Sequence, residues 1–286
     1  MITVETVAGL KDQVARLRQG GKRVAFVPTM GNLHAGHLHL MQEARQRAQV
    51  VVASVYVNPL QFGENEDFNA YPRTPGHDKV ALLAAGVNVL FMPTEAEIYP
   101  RGRAAQTVVE VPGLGAELCG AFRPGHFRGV TTVVNRLFNL VSPDVAVFGK
   151  KDYQQWLLIR LMVADLGMPV EIVGVDTVRE IDGLALSSRN NYLSDAERKT
   201  APVLYETLCG LRDRVLRHGS VTHEAEDAAM ESLKSHGFRP DYVSVRRQDD
   251  LIEPGPGDRR LVVLAAAWLG KTRLIDNVEF DLKAGV

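Results

Sequence analysis

The sequence predicts an α/β protein in two parts, a doubly wound parallel sheet followed by a smaller α+β domain. Three observations predict this. Short runs almost continuous in Val, Ile, Phe and Ala recur as far as residue 176, and helical patterns separate them. After that the texture changes, with helices first and strands later. The expected division is residues 1–177 and 178–286.

The first apolar run, RVAFVPT (23–29), is followed by VVVASVYVN (50–58), VNVLFMP (87–93), VAVFGK (145–150) and VEIVGVD (170–176). Their apolar residues are consecutive rather than alternating, the pattern of strands buried on both faces of a parallel sheet. Between them, HLHLMQEARQRA turns Leu38, Leu40, Met41 and Ala44 to one side, and YQQWLLIRLMVADLG closes on a C-cap glycine, Gly167. Two connections are long: PLQFGENEDFNAYPRTPG (59–76) and residues 94–129, within which AQTVVEV is expected to add a strand. Long connections of this kind after sheet strands are typically binding loops. Beyond SSRNNYLSDAER come two helical stretches, then PDYVSVRRQDDL and RRLVVLAAAWLGKTRLIDNVEF, expected strands of a small, mainly antiparallel sheet. EPGPGD (253–258) is a tight turn, and Tyr71, Trp156 and Trp268 are expected to pack.

Charge and cysteine content narrow the class. The 33 Lys and Arg nearly balance 34 Asp and Glu, which argues against a nucleic-acid partner held by bulk electrostatics. Cys119 and Cys209 form no CxxC pair and no disulfide framework, as in a reducing compartment. The N-terminal MITVETVAGLKDQVARLRQG has charges at helical spacing and no continuous apolar stretch, and no run reaches membrane length. The expected location is the cytoplasm, without signal peptide or membrane partner.

The densest chemistry lies in FVPTMGNLHAGHLHLM (26–41), where a strand runs into a helix. His34 and His37 are three apart and share a helix face, while His39 is offset from both. HAGH lacks the glutamate of HExxH, and two histidines at this spacing make a weak metal site. A helix N-terminus suits a phosphate, and Gly31 and Gly36 allow close backbone approach. Two imidazoles there can donate to a departing polyphosphate. The plainer possibility is a pair of histidines that cap the helix and face solvent.

HxGH after a first strand resembles the nucleotidylyltransferase superfamily. The segments VPTMGNLHAGH, VNPLQF, YPRT, RPGHFRGV, FGKKDYQQ, DGLALSSRNNYL and AAAWLGKTRLIDN, in this order, resemble one family within it, the pantothenate synthetases (pantoate–β-alanine ligases). The resemblance implies a Rossmann-like first domain, a C-terminal lid and a homodimer. It also implies magnesium accompanying ATP as substrate. Pantoate's carboxylate would attack the α-phosphate of ATP, releasing pyrophosphate, and β-alanine's amine would then displace AMP from pantoyl adenylate. Positioning and charge stabilisation would carry such catalysis without a side-chain nucleophile.

The resemblance places His34, His37, Lys151, Ser187, Ser188 and Arg189 in catalysis. Met30, Gly31, Gly149, Asp152 and Val178 join His34, His37, Lys151, Ser187 and Arg189 around ATP, with Asp152 on the ribose or a neighbouring group. Gln61 and Gln155 would hold pantoate through amides that both donate and accept. Asn58, which orients that loop, and Arg123 are placed with them. Closure of the lid would bring Ser187, Ser188 and Arg189 onto the phosphates. Two positions depart from the family pattern: Lys150 stands where FGEKD has an acid, and His77 precedes Asp78 where an acid is common, so no protein ligand to magnesium is assigned. Two other readings are an HxGH adenylyltransferase for a phosphorylated acceptor, which would attract more Arg or Lys, and a nucleotide sensor without turnover.

In FGKKDYQQ, continued strand geometry would send Lys150 and Lys151 to opposite faces. The resemblance selects Lys151 for phosphate and leaves Lys150 facing solvent or an acid.

Overall fold

The five apolar runs form parallel strands, and a short strand at the N-terminus joins them. Residues 1–64 and 66–283 are described by a computed structural model. Two units divide the chain: Met1–Lys150 with Leu158–Asp176, and Lys151–Leu157 with the chain from Thr177 onward. The elements in order are β1 (Ile2–Val4), α1 (Val7–Leu17), β2 (Val24–Thr29), α2 (Ala35–Arg47), β3 (Val50–Val55), α3 (Pro75–Ala84) and β4 (Val89–Phe91). Then come α4 (Glu95–Ile98), α5 (Cys119–Phe122), α6 (His126–Val141), β5 (Val145–Gly149), α7 (Tyr153–Asp165) and β6 (Glu171–Val175). The last are α8 (Asp195–Thr200), α9 (Val203–His218), α10 (His223–Ser235), β7 (Phe238–Arg247), β8 (Arg260–Leu269) and β9 (Thr272–Asp281).

In the first unit all strand pairings are parallel, in the order β1-β4-β3-β2-β5-β6. The chain moves outward from β2 through β3 and β4, then returns to β2's other side for β5 and β6. Strand order therefore reverses beside β2, and the carboxyl ends of β2 and β5 flank the crevice where such sheets bind ligands. β2 and β3 stay in register through Thr29↔Val55, whereas the β2–β5 register covers Ala25↔Val145 and Phe26↔Ala146.

Burial on both faces explains the consecutive apolar residues. Ala25 and Val27 pack with Val51, Ala53, Val145, Met41 and Ala44, while Phe26 turns the other way, edge-on to Phe138 of α6 at 6.3 Å. Met41 and Ala44 are fully buried, whereas Leu38 and Leu40 are half-buried, Leu40 packing against the same cluster. β1, three residues paired to β4, carries too short a pattern to read from sequence. The strand expected in AQTVVEV does not form. Val109 instead donates its N–H to Thr132 Oγ1 (2.9 Å) and accepts at its carbonyl from Thr131 Oγ1 (2.6 Å), so threonines of α6 satisfy the backbone.

The second unit carries the antiparallel sheet β7-β8-β9. Leu204, Leu208, Leu211 and Leu233 of α9 and α10 pack on the sheet face formed by Val263, Ala265, Leu274 and Val278. β8 turns into β9 through Gly270 and Lys271, with φ +56° at Gly270, a conformation that only glycine adopts without cost.

α6 also sets the turn that follows β3. At Gly129 a Cβ would lie 2.1 Å from the Leu60 carbonyl oxygen, so only glycine lets the helix and the 3₁₀ turn Pro59–Gln61 approach this closely. Gly129→Ala is expected to lower unfolding free energy by about 2–3 kcal/mol, the range for overpacking against backbone. Urea denaturation measures it, and an unchanged midpoint would show that the turn yields freely.

Candidate active site

The loop from β2 to α2 is built around a buried carboxylate. Asp78 of α3, 1% exposed, accepts the N–H groups of Asn32 (3.1 Å) and Leu33 (2.9 Å) and the hydroxyl of Thr74 (3.2 Å). Charge-assisted bonds to otherwise unsatisfied amides make burial of the carboxylate tolerable. Gly31 sits against it with φ +83°, and a Cβ there would lie 2.9 Å from Asp78 Oδ2 and 3.0 Å from Val55 Cγ1. Thr29 Oγ1 donates to the Ser54 carbonyl and accepts from Gly31 N–H, tying the loop to β3.

This loop delivers His34 as the N-cap of α2 and His37 three residues on. The His34 N–H donates to His37 Nδ1 (3.3 Å), and the rings lie 4.1 Å apart between centroids. With Nδ1 accepting, a neutral His37 carries its proton on Nε2. His37 thus caps the helix through its side chain, with His34 at the N-cap position. The first turn of α2 holds no acidic residue, so the partial positive charge of the helix end has no counter-charge within that turn.

A second cluster follows β3. Gln61, 9% exposed, accepts at Oε1 from Asn58 Nδ2 (3.0 Å) and directs Nε2 to Met30 Sδ (3.3 Å). Asn58 also donates to the Gly129 carbonyl (3.1 Å) and accepts from Leu60 N–H (3.3 Å) and the Tyr99 hydroxyl (2.7 Å). Burial, with Tyr56 and Glu95 nearby, pushes the Tyr99 phenol well above its ordinary value, so it remains a neutral donor. Asn58, expected with pantoate and as the residue that orients this loop, is 1% exposed, with its amide engaged by Gln61, Gly129, Leu60 and Tyr99.

Arg123, expected with pantoate, has its guanidinium engaged by neighbours in the first unit. It donates to Glu66 through Nε (2.6 Å) and one terminal nitrogen (2.5 Å), which also reaches the Gln61 carbonyl (3.4 Å), and its other terminal nitrogen meets His126 Nε2 (3.0 Å). His126 Nδ1 donates to the same Gln61 carbonyl at 2.7 Å. Burial alone would raise the Glu66 carboxyl, but Arg123's hydrogen bond and charge, with His126, outweigh it and hold the group below the usual carboxylate range. Glu66, Tyr99 and Asp78 carry no motif of their own, and RPGH was the available signal for His126.

At the end of β5, Gly149 gives way to a 3₁₀ turn, Lys150–Asp152, so strand alternation stops before the two lysines. Lys150 Nζ nevertheless pairs with an acid, Asp176 Oδ1 at 3.2 Å, within the first unit. Met30, Gly31, His34, His37, Asn58, Gln61, Arg123 and Gly149 belong to that unit.

Lys151, Asp152, Gln155, Val178, Ser187, Ser188 and Arg189 belong to the second unit. Asp152 is exposed and Gln155 half-buried on the first turn of α7. Val178 opens a tight hairpin: its carbonyl accepts Leu186 N–H (3.0 Å), and Arg179 bridges Ala185. Directly after it, Ser187 caps the 3₁₀ turn Ser188–Tyr192, with Oγ accepting Arg189 N–H (3.3 Å). Val178 and Ser187 are thus set by one hairpin despite their separation in sequence.

A parallel sheet with reversed strand order, and a histidine-capped helix N-terminus at the reversal, defines an α/β enzyme of the HxGH type. The profile described as Pantoate-beta-alanine ligase matches residues 2–279, and the chain belongs to that family, making it a ligase. It is 54% identical to the pantothenate synthetase of Shewanella loihica, over 98% of this chain and 99% of that protein. With the pantothenate synthetase of Stutzerimonas stutzeri it shares 56% identity over 99% of each. The crystal structure of pantothenate synthetase from Thermus thermophilus aligns with a TM-score of 0.90 at 50% identity, covering 97% of this chain and 99% of that one. The Francisella tularensis pantoate-beta-alanine ligase, complexed with beta-gamma ATP and beta-alanine, aligns with a TM-score of 0.80 at 32% identity, covering 97% of each. Among the described residues no helix is long and apolar enough to cross a membrane.

Removing the Asp78 carboxylate would strand two backbone donors in a buried loop. Asp78→Ala is expected to lower unfolding free energy by about 3 kcal/mol, and Asp78→Asn by less because an amide oxygen still accepts. Denaturation curves measure both, and a loss in Asp78→Ala under about 1 kcal/mol, the scale of one neutral bond, would show that the loop is held by other means.

Proposed function

We propose that this ligase condenses pantoate with β-alanine in two steps, with ATP as the activating substrate. Pantoate's carboxylate oxygen attacks the α-phosphorus of ATP and the bond to the β,γ-pyrophosphate breaks, leaving pantoyl adenylate. The amine of β-alanine then adds to the acyl carbon, loses a proton, and expels AMP as the amide forms. A free carboxylate is a poor acyl donor because oxide would have to leave, and adenylation removes that obstacle. The observation that carries the reading is the His34–His37 pair at an acid-free helix N-terminus beside the strand-order reversal.

In this reading His34 and His37 donate to the phosphates as charge moves onto pyrophosphate. Met30, Gly31, Gly149, Asp152 and Val178 line the nucleotide, and Lys151, Ser187, Ser188 and Arg189 complete the charge stabilisation. Gln61 and Gln155 hold pantoate; Asn58 and Arg123 act through Gln61. Neutral amides suit a hydroxylated acid, and Arg123 is already neutralised by Glu66, which disfavours a phosphorylated acceptor. Residues 178–286, in this reading a lid, would keep water from the mixed anhydride. Family membership supports a homodimer working in the cytoplasm.

Magnesium accompanies ATP in this reading. Among the described residues no three His, Cys, Asp or Glu side chains group to hold a metal, and Asp78's oxygens already accept three protein donors. The protein's fit is therefore to an ion held through phosphate oxygens and water.

Two tests follow from this chemistry. Pyrophosphate should exchange into ATP when pantoate and magnesium are present and β-alanine absent, and His34→Ala or His37→Ala should slow exchange by about 10²–10³-fold, as for a lost oxyanion donor. Exchange that requires β-alanine would overturn the order of steps, and no exchange with all substrates present would favour a sensor.

The lysines supply the other test. Lys151→Ala should reduce kcat by about a hundredfold, as for a charged transition-state contact. Lys150→Ala should stay within roughly threefold, since it removes an ion pair to an exposed acid. Greater damage from Lys150→Ala, measured at saturating substrates, would exchange their roles.

A further inference from the structure

β9 carries the sequence Ile275-Asp276-Asn277, part of the RLIDN stretch to which the mechanism gives no role. Alternation along a strand sends Asp276 to one face of the sheet and Asn277, with Glu279, to the other. Each side meets one of the second unit's nucleotide segments.

On one side, Asn277, 6% exposed, donates Nδ2 to the Lys151 carbonyl at 3.0 Å. Two residues on, Glu279 Oε1 accepts the Tyr153 hydroxyl at 3.0 Å, and the Gln248 carbonyl accepts it at 3.1 Å. The 3₁₀ turn that carries Lys151 and Asp152, and the helix start that carries Gln155, are therefore both tied to β9. On the other side, Asp276 takes a forked pair of bonds from Arg179, 2.6 and 2.9 Å, and also accepts Asn277 N–H at 2.8 Å. Arg179 further donates to the Gly183 carbonyl (3.0 Å) and the Asn277 carbonyl (3.1 Å), with its guanidinium 3.7 Å from the centroid of Tyr205. Gly183, at φ +92°, leaves no room for a Cβ, which would meet Tyr205 at 2.7 Å. This closes the hairpin that begins at Val178 and leads into Ser187.

We propose that Asn277 and the Asp276–Arg179 pair are positioning residues for nucleotide, with β9 as the common base that holds the Lys151 turn and the Val178–Ser187 hairpin. The proposal rests on the reading that these segments bind ATP. A bond to a backbone carbonyl fixes where a loop lies without touching substrate, so its loss should appear in nucleotide affinity and not in pantoate affinity, because Gln61 and its supports belong to the first unit and the Tyr153 bonds that hold the helix start of Gln155 stay intact in the Asn277 and Arg179 variants.

The experiment titrates a non-hydrolysable ATP analogue calorimetrically into wild type, Asn277→Ala, Asn277→Asp, Arg179→Lys and Lys151→Ala. KM for pantoate and the unfolding midpoint are measured on the same preparations. Asn277→Ala should weaken analogue binding about tenfold, the scale of one hydrogen bond. Asn277→Asp should weaken it further, because a carboxylate would face the Lys151 carbonyl. Arg179→Lys keeps the charge beside Asp276 but loses the fork, and should weaken binding about fivefold. KM for pantoate should stay within roughly twofold throughout. Analogue binding within roughly twofold of wild type in the Asn277 and Arg179 variants, with Lys151→Ala impaired, would overturn the proposal and leave the assignment of the ATP segments intact. Unimpaired Lys151→Ala would overturn that assignment and the proposal with it. Parallel losses of analogue and pantoate affinity that track the unfolding midpoint would also overturn it, since they would mark a general structural role.

Discussion

Asp78 receives two backbone N–H groups from the loop that leaves β2, and the placement of the histidine pair depends on this contact. A loop in which Gly31 and Asn32 both take positive φ is not held by a sheet ladder, so its amides need another acceptor. A buried carboxylate meets that need, and the amides in turn make burial of its charge tolerable. Gly31 is required by the same arrangement, because any side chain there would enter the space of Asp78 and Val55. The consequence is that α2 begins at a defined point, with His34 and His37 over its first turn.

Around Gln61 the logic is similar, with neutral groups providing most of the contacts. Asn58, Tyr99, Gly129, Arg123 and His126 converge on one turn of chain through a connected set of hydrogen bonds. Satisfied networks of this kind rigidify a site, whereas partly satisfied ones are costly in a low-dielectric interior. Gln61 thereby keeps one amide direction. An amide with two acceptor lone pairs and two donors would otherwise sample several.

Both arrangements suit a reaction that needs no side-chain nucleophile. The substrates supply the attacking carboxylate, the leaving pyrophosphate and the amine, so the protein contributes geometry and fixed charge. Helix N-termini, neutral amides and preformed loops do this with little reorganisation during the reaction. Lys150 shows the complement: it pairs with Asp176 and stays with the first unit, which separates its role from that of its neighbour.

By itself the sequence determined the parallel strands, the helices between them, the division into two textures and the HxGH turn, because these depend on periodicity, caps and residue types that act within a few positions. It also pointed to His34, His37, Gln61 and Lys151 through segments whose order resembles one family. Tertiary structure decided what depends on partners distant in the chain. Residues 105–111 are not a strand, and Thr131 and Thr132 bond the backbone of Val109 within them, while three residues at the N-terminus are a strand because β4 offers an edge. Asn58 and Arg123 meet partners distant in the chain, Tyr99 and Gly129 for one and Glu66 and His126 for the other. Local pattern encodes which way a side chain points along its own element, but the atom that waits there is set by how the elements pack.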